Sequence, residues 1–169
     1  MRKFFALSLL AGLVAAGAYA QTSKPVGLAL RAGAFFPSDK DARDYKEVWL
    51  GLGAEYKLKD LNLGSGMAGY QGGLSVSLDY IGHKDARALP LLLNYTGRQD
   101  QFFYSAGVGA GFNREFERGK WRNETKLAYQ VGIGYDFVTG GTPFFIEGKY
   151  FGASGSDLGG FGIYLGIRL

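Results

Sequence analysis

Apolar and polar residues alternate with a period of two along most of the chain beyond residue 25. This repeat is typical of β-strands, whose successive side chains point to opposite faces. Each of eight such runs has about the ~9–11 residues that a tilted strand needs to cross a bilayer. We predict strands at residues 26–36, 48–58, 72–81, 87–96, 102–112, 126–137, 143–151 and 160–169. An even number of strands lets an antiparallel, up-and-down sheet close into a barrel with both chain ends on one side.

The connections between these runs differ in length and charge. Residues 37–47 and 113–125 are long and highly charged, whereas residues 97–101 and 139–142 are short. Alternating long loops and short turns are typical of transmembrane barrels. Two connections depart from this rule, because 59–71 is a long turn and 82–86 is a short loop.

The two faces of each predicted strand differ in character. In the sixth run Leu127, Val131 and Ile133 point one way, and Gln130 and Asp136 point the other. In most runs the second face combines glycines with charged residues. Glycine weakens a strand, so its frequency on one face needs a reason. A narrow lumen crowded by Tyr, Trp, Arg and Glu side chains supplies that reason, and it places the apolar face against lipid.

Outward-facing aromatic residues gather near the two ends of the predicted strands. If the first strand starts on the periplasmic side, one set lies at that rim: Tyr56, Tyr95, Tyr104, Tyr135, Phe137 and Phe144. The other set lies at the opposite rim: Phe36, Tyr80, Phe112, Tyr150 and Phe161. Two aromatic girdles around an aliphatic band indicate a membrane-spanning barrel.

The first 20 residues have the pattern of a secretory signal peptide. Arg2 and Lys3 form a basic start, residues 4–14 form an apolar segment, and Ala18-Tyr19-Ala20 fits the small-x-small cleavage rule. We therefore predict a signal peptide at 1–20 and an outer-membrane barrel domain at 21–169. An uncleaved membrane anchor is the alternative, although the apolar segment is short for a span of ~20 residues.

Composition excludes several function classes. The chain has no cysteine, which rules out disulfides, thiolate metal sites and cysteine nucleophiles. Removing Arg2 and Lys3 from the 19 basic residues leaves 17 against 15 acidic ones, a balance that does not favour nucleic-acid binding. His83 is the single histidine, and no Ser-His or paired-acid motif accompanies it. We expect no catalytic site, no metal site and no cofactor.

These features resemble the small outer-membrane barrels of the OmpX, OmpA-domain and OmpW type. The likeness rests on the leader, the eight amphipathic runs, the opening LALRAGAFFPSD at 28–39 and a final strand at Phe161–Leu169. It implies a barrel in the cell outer membrane, with membrane lipid and the barrel-assembly machinery as partners. In these families the last residue is usually aromatic and aids recognition of the strand by that machinery. Here it is Leu169.

Eight inward-facing charges form the first candidate site. Four are basic and four acidic, and we expect them to pair, because an unpaired charge in a narrow lumen is costly. They are Arg31, Glu55, Lys57, Asp79, Asp136, Glu147, Lys149 and Arg168. We place Arg31, Asp79, Glu147 and Lys149 in an upper tier and the other four nearer the periplasm. A salt-bridged plug is the first interpretation. A polar path or gate for small solutes is the second, and a metal site at Asp79 and Glu147 is the third.

The second candidate is the predicted surface loop 113–125. It combines cations with aromatic residues, namely Arg114, Phe116, Arg118, Trp121 and Arg122, a mixture that suits recognition of a partner or of anionic lipid head groups. Its alternative is a charged loop folded over the barrel mouth. Three functions stay open: a structural or surface-interaction barrel, a narrow channel for small hydrophobic or polar solutes, and a soluble periplasmic lipid-binding barrel. We do not expect an enzyme.

Overall fold

The protein is described by a computed structural model over residues 27–61, 70–84, 86–117, 120–137, 143–155 and 158–169, with backbone alone at 41, 45, 115–117 and 120. The predicted signal peptide lies outside these residues. One short helix, α1, spans Lys40–Tyr45. The strands are β1 Leu28–Pro37, β2 Trp49–Asp60, β3 Tyr70–Gly82, β4 Ala86–Gln99, β5 Phe102–Glu117, β6 Lys120–Asp136, β7 Phe144–Ala153 and β8 Gly160–Arg168. No helix in the described ranges is long and apolar enough to cross a membrane.

The eight strands form one closed barrel in which each strand pairs with its neighbours in sequence. All pairs are antiparallel, and β1 closes the barrel against β8, with Ala29 opposite Arg168 and Pro37 opposite Gly160. This confirms the predicted all-β, eight-stranded up-and-down barrel. We call the end where β1 begins and β8 ends the proximal rim, and the opposite end the distal rim.

The apolar faces of the strands point outward, as the alternation predicted. The side chains of Ile133 and Leu165 are 71% and 64% exposed, whereas Arg31 and Glu147 in the lumen are 4% and 2% exposed. Exposed aromatic residues stand at both rims, including Tyr104 and Phe137 at the proximal rim and Phe36 and Phe112 at the distal rim. The wall thus has the apolar outer surface of a membrane barrel, the reverse of a soluble one.

Inward glycines leave space for the large side chains of the lumen. A Cβ at Gly134 would overlap the ring of Phe103, and one at Gly166 would overlap the ring of Phe145. Gly53 lies in the same way beneath Arg31. The lumen is therefore crowded, which is the reason the sequence suggested for so many glycines on one face.

The prediction of a surface loop at 113–125 is wrong. β5 and β6 continue through it and stay paired as far as Glu117 opposite Lys120. At 16 and 17 residues, the two strands exceed the ~9–11 that a membrane crossing needs. Residues 113–117 and 120–124 therefore form a paired, two-stranded extension that projects beyond the distal rim, because cross-strand pairing continues past the girdle. We call it the distal hairpin.

The predicted loop 37–47 also has internal structure. It contains α1, whose Ala42 is buried against the lumen. The Trp49 indole Nε1 donates a 2.8 Å hydrogen bond to the Lys46 carbonyl, and the Ser38 amide donates one of 2.8 Å to the Gly159 carbonyl. These bonds hold the loop over the distal mouth of the barrel.

Candidate functional site

Arg31 lies at the centre of a buried ionic cluster in the middle of the lumen. Its Nε and Nη2 donate to the two carboxylate oxygens of Asp79, at 2.9 and 3.0 Å. Its Nη1 donates to Glu55 Oε2 at 2.8 Å and lies 3.5 Å from Glu147 Oε2. Because Gly53 stands between Arg31 and Asp79 in the sheet register, no side chain separates the two charges. One guanidinium thus joins three carboxylates from three other strands.

Lys149 completes this central cluster but is held more loosely. Its Nζ is 3.6 Å from Asp79 Oδ2 and 5.9 Å from the ring centre of Tyr164. Neither Lys149 Nζ nor Glu147 Oε2 has a hydrogen-bond partner among the described residues. Two cations, Arg31 and Lys149, therefore face three carboxylates, and the central cluster has one negative charge in excess.

A second ionic cluster lies at the proximal rim, and we call it the mouth cluster. Asp136 accepts hydrogen bonds from Arg98 Nη1 and, at 3.1 Å, from Arg168 Nε. The Arg168 guanidinium carbon also lies 4.7 and 4.5 Å from the ring centres of Phe103 and Phe145. Two cations share one carboxylate here, so the positive excess of the mouth cluster balances the negative excess of the central cluster.

Seven of the eight predicted lumen charges lie in these two clusters, and Lys57 does not. Its side chain is 51% exposed and pairs with Asp60 at the proximal rim. Arg98 takes its place in the lumen. Arg98 was not among the predicted lumen charges because 97–101 was predicted as a turn, although the period of two from Asn94 through Thr96 to Arg98 indicates an inward position. Glu55, predicted in the lower tier, instead contacts Arg31.

Beyond the central cluster the lumen becomes uncharged and then apolar. Gln130 Nε2 donates to Asn94 Oδ1, and Asn94 Nδ2 donates to Ser77 Oγ at 2.9 Å. An apolar plug then fills the distal half: Phe35, Ala42, Trp49, Ile81, Ala86, Ala88, Leu92, Ala128, Phe151, Ala153 and Leu158. This plug was not predicted from the sequence, although Phe35, Trp49 and Phe151 all occupy inward positions of their strands.

Little open space is left inside the wall. A cavity of about 270 Å³ opens at the proximal rim, where Lys57, Arg98 and Arg168 line it, and reaches inward to Glu55. Between the two ionic clusters there is a void of about 10 Å³. A void of that size holds about one water molecule at most. The described residues thus close the lumen twice, with ion pairs and then with the apolar plug.

Charged residues of the distal hairpin and the adjoining part of β6 lie on both faces, with Arg114 outward and Arg122, Glu124 and Lys126 at the inward-facing positions that continue to Ala128 and Gln130. The Arg114 guanidinium carbon lies 4.5 Å from the ring centre of Trp121, and Arg122 Nη2 lies 2.6 Å from Glu124 Oε1. Lys126 Nζ lies 3.1 Å from Glu124 Oε2, and the hydrogen bond that it donates, together with the nearby charge of Arg122, lowers the pKa of the Glu124 carboxyl below its ordinary value. Partly exposed ion pairs of this kind add little to the stability of a fold.

Four of the five residues predicted as a surface loop are strand residues. Arg114 lies on β5, and Trp121 and Arg122 lie on β6. Phe116 is on β5 opposite Trp121, with its side chain outside the described residues. Arg118 lies outside the described residues altogether.

Comparison with solved structures finds three outer-membrane proteins that resemble this chain, and PagL is the one of the three with a TM-score above 0.5. The outer membrane enzyme PagL is 13% identical, covers 83% of this chain and 98% of its own, and has a TM-score of 0.51. The N-terminal β-barrel domain of Pseudomonas aeruginosa OprF is 15% identical, with 86% and 98% coverage and a TM-score of 0.47. The Yersinia pestis outer membrane protein Ail is 15% identical, with 85% and 99% coverage and a TM-score of 0.46. No protein-family model and no curated protein sequence matches the chain.

The chain therefore has the fold of the small eight-stranded outer-membrane β-barrels. Proteins of this fold include an enzyme, PagL. Function has to be argued from the side chains of this chain rather than from its architecture.

Proposed function

We propose that the protein spans the outer membrane as a closed barrel and acts through the distal hairpin, which it presents outside the membrane. The proposal depends on one observation, namely that the apolar side chains of the wall face outward and its charged side chains face the lumen. Leu, Val and Ile side chains are exposed around the barrel, while the charged residues Arg31, Asp79, Glu147 and Lys149 are buried in the lumen. In water this arrangement would expose the apolar belt and bury charge without a compensating gain, whereas in a bilayer the belt meets hydrocarbon.

The distal hairpin is the part of the wall that a membrane role leaves free. Trp121 is exposed, and its ring is covered on one side by Arg114. Arg122 and Lys126 flank Glu124, so the described charged side chains of this region, with Arg114, are three basic and one acidic. A cationic surface with exposed aromatic rings suits an anionic partner or anionic head groups.

Two measurements test the membrane role. The protein should stay in the membrane fraction after a urea wash and migrate differently on a gel before and after boiling, because a folded membrane barrel resists denaturation. Release by osmotic shock without detergent, with a single gel position, would refute it in favour of a soluble periplasmic barrel.

The hairpin role needs a binding measurement on the folded protein. Barrels in neutral vesicles should bind to vesicles containing anionic lipid, and an Arg114→Ala/Trp121→Ala variant should bind less while keeping its heat-modifiability. The matched control is Arg43→Ala, which removes an exposed cation from α1 instead. Equal binding by both variants would count against the hairpin.

The narrow channel is the second candidate function, favoured by the cavity at the proximal rim. For conduction, both the ionic clusters and the apolar plug would have to open. We expect planar bilayers containing the wild-type protein to show no steps in conductance at high protein load. Regular steps that disappear when the protein is omitted would favour the channel.

A further inference from the structure

Three tyrosine hydroxyls meet on the outer wall at the proximal rim. Tyr70 Oη lies 2.5 Å from Tyr95 Oη and 2.9 Å from Tyr104 Oη. These residues come from β3, β4 and β5, and we call them the tyrosine triad. Hydroxyl groups at a membrane interface can hydrogen-bond to one another or to lipid. The protons that are not used between the hydroxyls therefore determine whether the triad can bind a lipid head group.

Two outward-facing glycines build this arrangement. A Cβ at Gly72 would lie 2.5 Å from Tyr95 Oη, and one at Gly97 would lie 2.5 Å from Tyr104 Oη. The rings of Tyr95 and Tyr104 therefore lie against the wall over the two glycines, which brings their hydroxyls to Tyr70. The triad therefore depends on these two glycines, because a larger residue at either position would displace the ring of Tyr95 or Tyr104.

The triad has hydrogen-bonding capacity to spare. Three hydroxyls carry three protons, and the two internal hydrogen bonds use two of them. One proton is left to donate outward, toward an acceptor at the membrane interface. Phosphate oxygens are the strong acceptors at that depth in a bilayer, and hydrogen bonds to charged groups are stronger than those between neutral groups.

An apolar groove leads away from the triad across the outer wall. Its volume is about 1060 Å³, and it is lined by the triad residues Tyr70, Tyr95 and Tyr104 at one end and by Phe161 and Ile163 at the other. Tyr104, Ile133, Gly148 and Ile163 follow one another in register across β5 to β8. Gly148 adds no side chain to the floor of the groove, and the edge of the Phe161 ring lies 3.2 Å from the position that a Cβ would take there.

The direction of this row fits a lipid chain. Tyr104 is near the proximal end of β5, whereas Ile163 is in the distal half of β8, so the row climbs from the rim toward the middle of the wall. Three strand spacings of ~4.8 Å make it about 14 Å long. At a strand tilt of ~35–45° the row rises by roughly 9 Å, more than half of the ~15 Å from the interface to the middle of the hydrocarbon core.

We propose that this surface binds one phospholipid of the leaflet at the proximal rim, with its phosphate at the tyrosine triad and one acyl chain in the apolar groove, beside Phe161. The proposal rests on the membrane role above, since it needs the outer wall to face lipid. A second copy of the chain is the competing occupant of the groove.

The test measures phospholipid retention by native mass spectrometry on the detergent-solubilised barrel, titrated with phosphatidylethanolamine. We expect one tightly retained lipid on the wild type. The variant Tyr70→Phe/Tyr95→Phe/Tyr104→Phe keeps the rings and removes the hydroxyls, and it should bind about tenfold more weakly, as the loss of a hydrogen bond to a charged group implies. Gly148→Leu, which fills the groove, should weaken binding by a different route.

The matched control is Tyr129→Phe/Tyr150→Phe, a pair of outward tyrosines at the distal rim whose ring centres lie 6.4 Å apart. It should retain lipid as the wild type does. Equal lipid affinity in the triad variant and this control would overturn the proposal, and so would equal lipid affinity in Gly148→Leu and the wild type. A wild-type dimer that dissociates in Gly148→Leu would also overturn it, because a second copy would then occupy the groove. Solubility without detergent is measured first, before any lipid is added. A barrel that remains soluble in that measurement would refute the membrane role instead.

Discussion

Replacing Arg31 with Met removes the cation that joins three carboxylates in the central cluster. The variant loses three hydrogen bonds, two to Asp79 and one to Glu55, and leaves Lys149 to face Glu55, Asp79 and Glu147. The excess negative charge of the cluster rises from one to two. Each lost bond to a charged group is worth about 1.5–3 kcal/mol, and relief from burying the guanidinium offsets part of the sum.

We expect a net loss of about 3–5 kcal/mol in the free energy of unfolding, the range found when one partner of a buried ion pair is removed. At ~2–4 °C per kcal/mol for a chain of this size, the midpoint should fall by roughly 10 °C. Urea titration in detergent micelles measures the change, with fluorescence from Trp49, which is buried in the plug, reporting on the lumen. Gel migration after heating gives an independent midpoint.

Two further variants make the reasoning refutable. Arg31→Met/Asp79→Asn returns the cluster to one excess negative charge, so it should recover about half of the loss. Arg43→Met removes an exposed arginine and should change stability by less than about 0.5 kcal/mol. A loss below about 1 kcal/mol for Arg31→Met, or a double variant less stable than the single one, would show that pairing with Arg31 does not hold the lumen together.

Three more outcomes follow from the same structure. Gly53→Ala should lower the free energy of unfolding by about 1–3 kcal/mol, because its methyl group would overlap Arg31 and Asp79. Gly111→Ala is the control and should lower it less, because the nearest atom to a new Cβ there is 3.1 Å away. Equal urea midpoints for the two variants would contradict this expectation. Phe151→Ala should cost about 3–5 kcal/mol by leaving a cavity in the apolar plug, and a loss under about 1 kcal/mol would mean that the plug is loosely packed. The lowered pKa of Glu124 means that its ion pairs stabilise the distal hairpin fully above about pH 4.5 and are lost as the pH falls through the folded-state pKa. Amide exchange in the hairpin should therefore speed up between pH 5 and pH 3 relative to Glu124→Gln, and an identical pH dependence in that variant would refute the assignment.

The outward face of each strand was predicted correctly because the alternation of side chains is set within the strand itself. At Leu127, Val131 and Ile133 the side-chain direction follows from position in the strand alone, so the outward face could be predicted without knowing any partner strand. The same local rule places Arg31, Asp79 and Glu147 on the inner face. It fails where a strand ends, and for that reason Arg98 was assigned to a turn and the distal hairpin to a loop.

The partners inside the lumen could not be predicted in this way. Arg31 and Asp79 are 48 positions apart in the chain, and they meet because the register of β1, β2 and β3 places Gly53 between them. The tyrosine triad likewise depends on the relative positions of three strands. In a closed barrel these positions follow from tilt and stagger, which the closure of the whole sheet fixes.

The sequence by itself therefore determined the number of strands, the face that each presents outward and the set of side chains that enter the lumen, because a period of two is a local property. The tertiary structure decided which charges pair, how far the distal hairpin extends, where α1 folds over the mouth and how two glycines bring three tyrosines together. Those features depend on the alignment of strands distant in sequence, and only the closed sheet establishes that alignment.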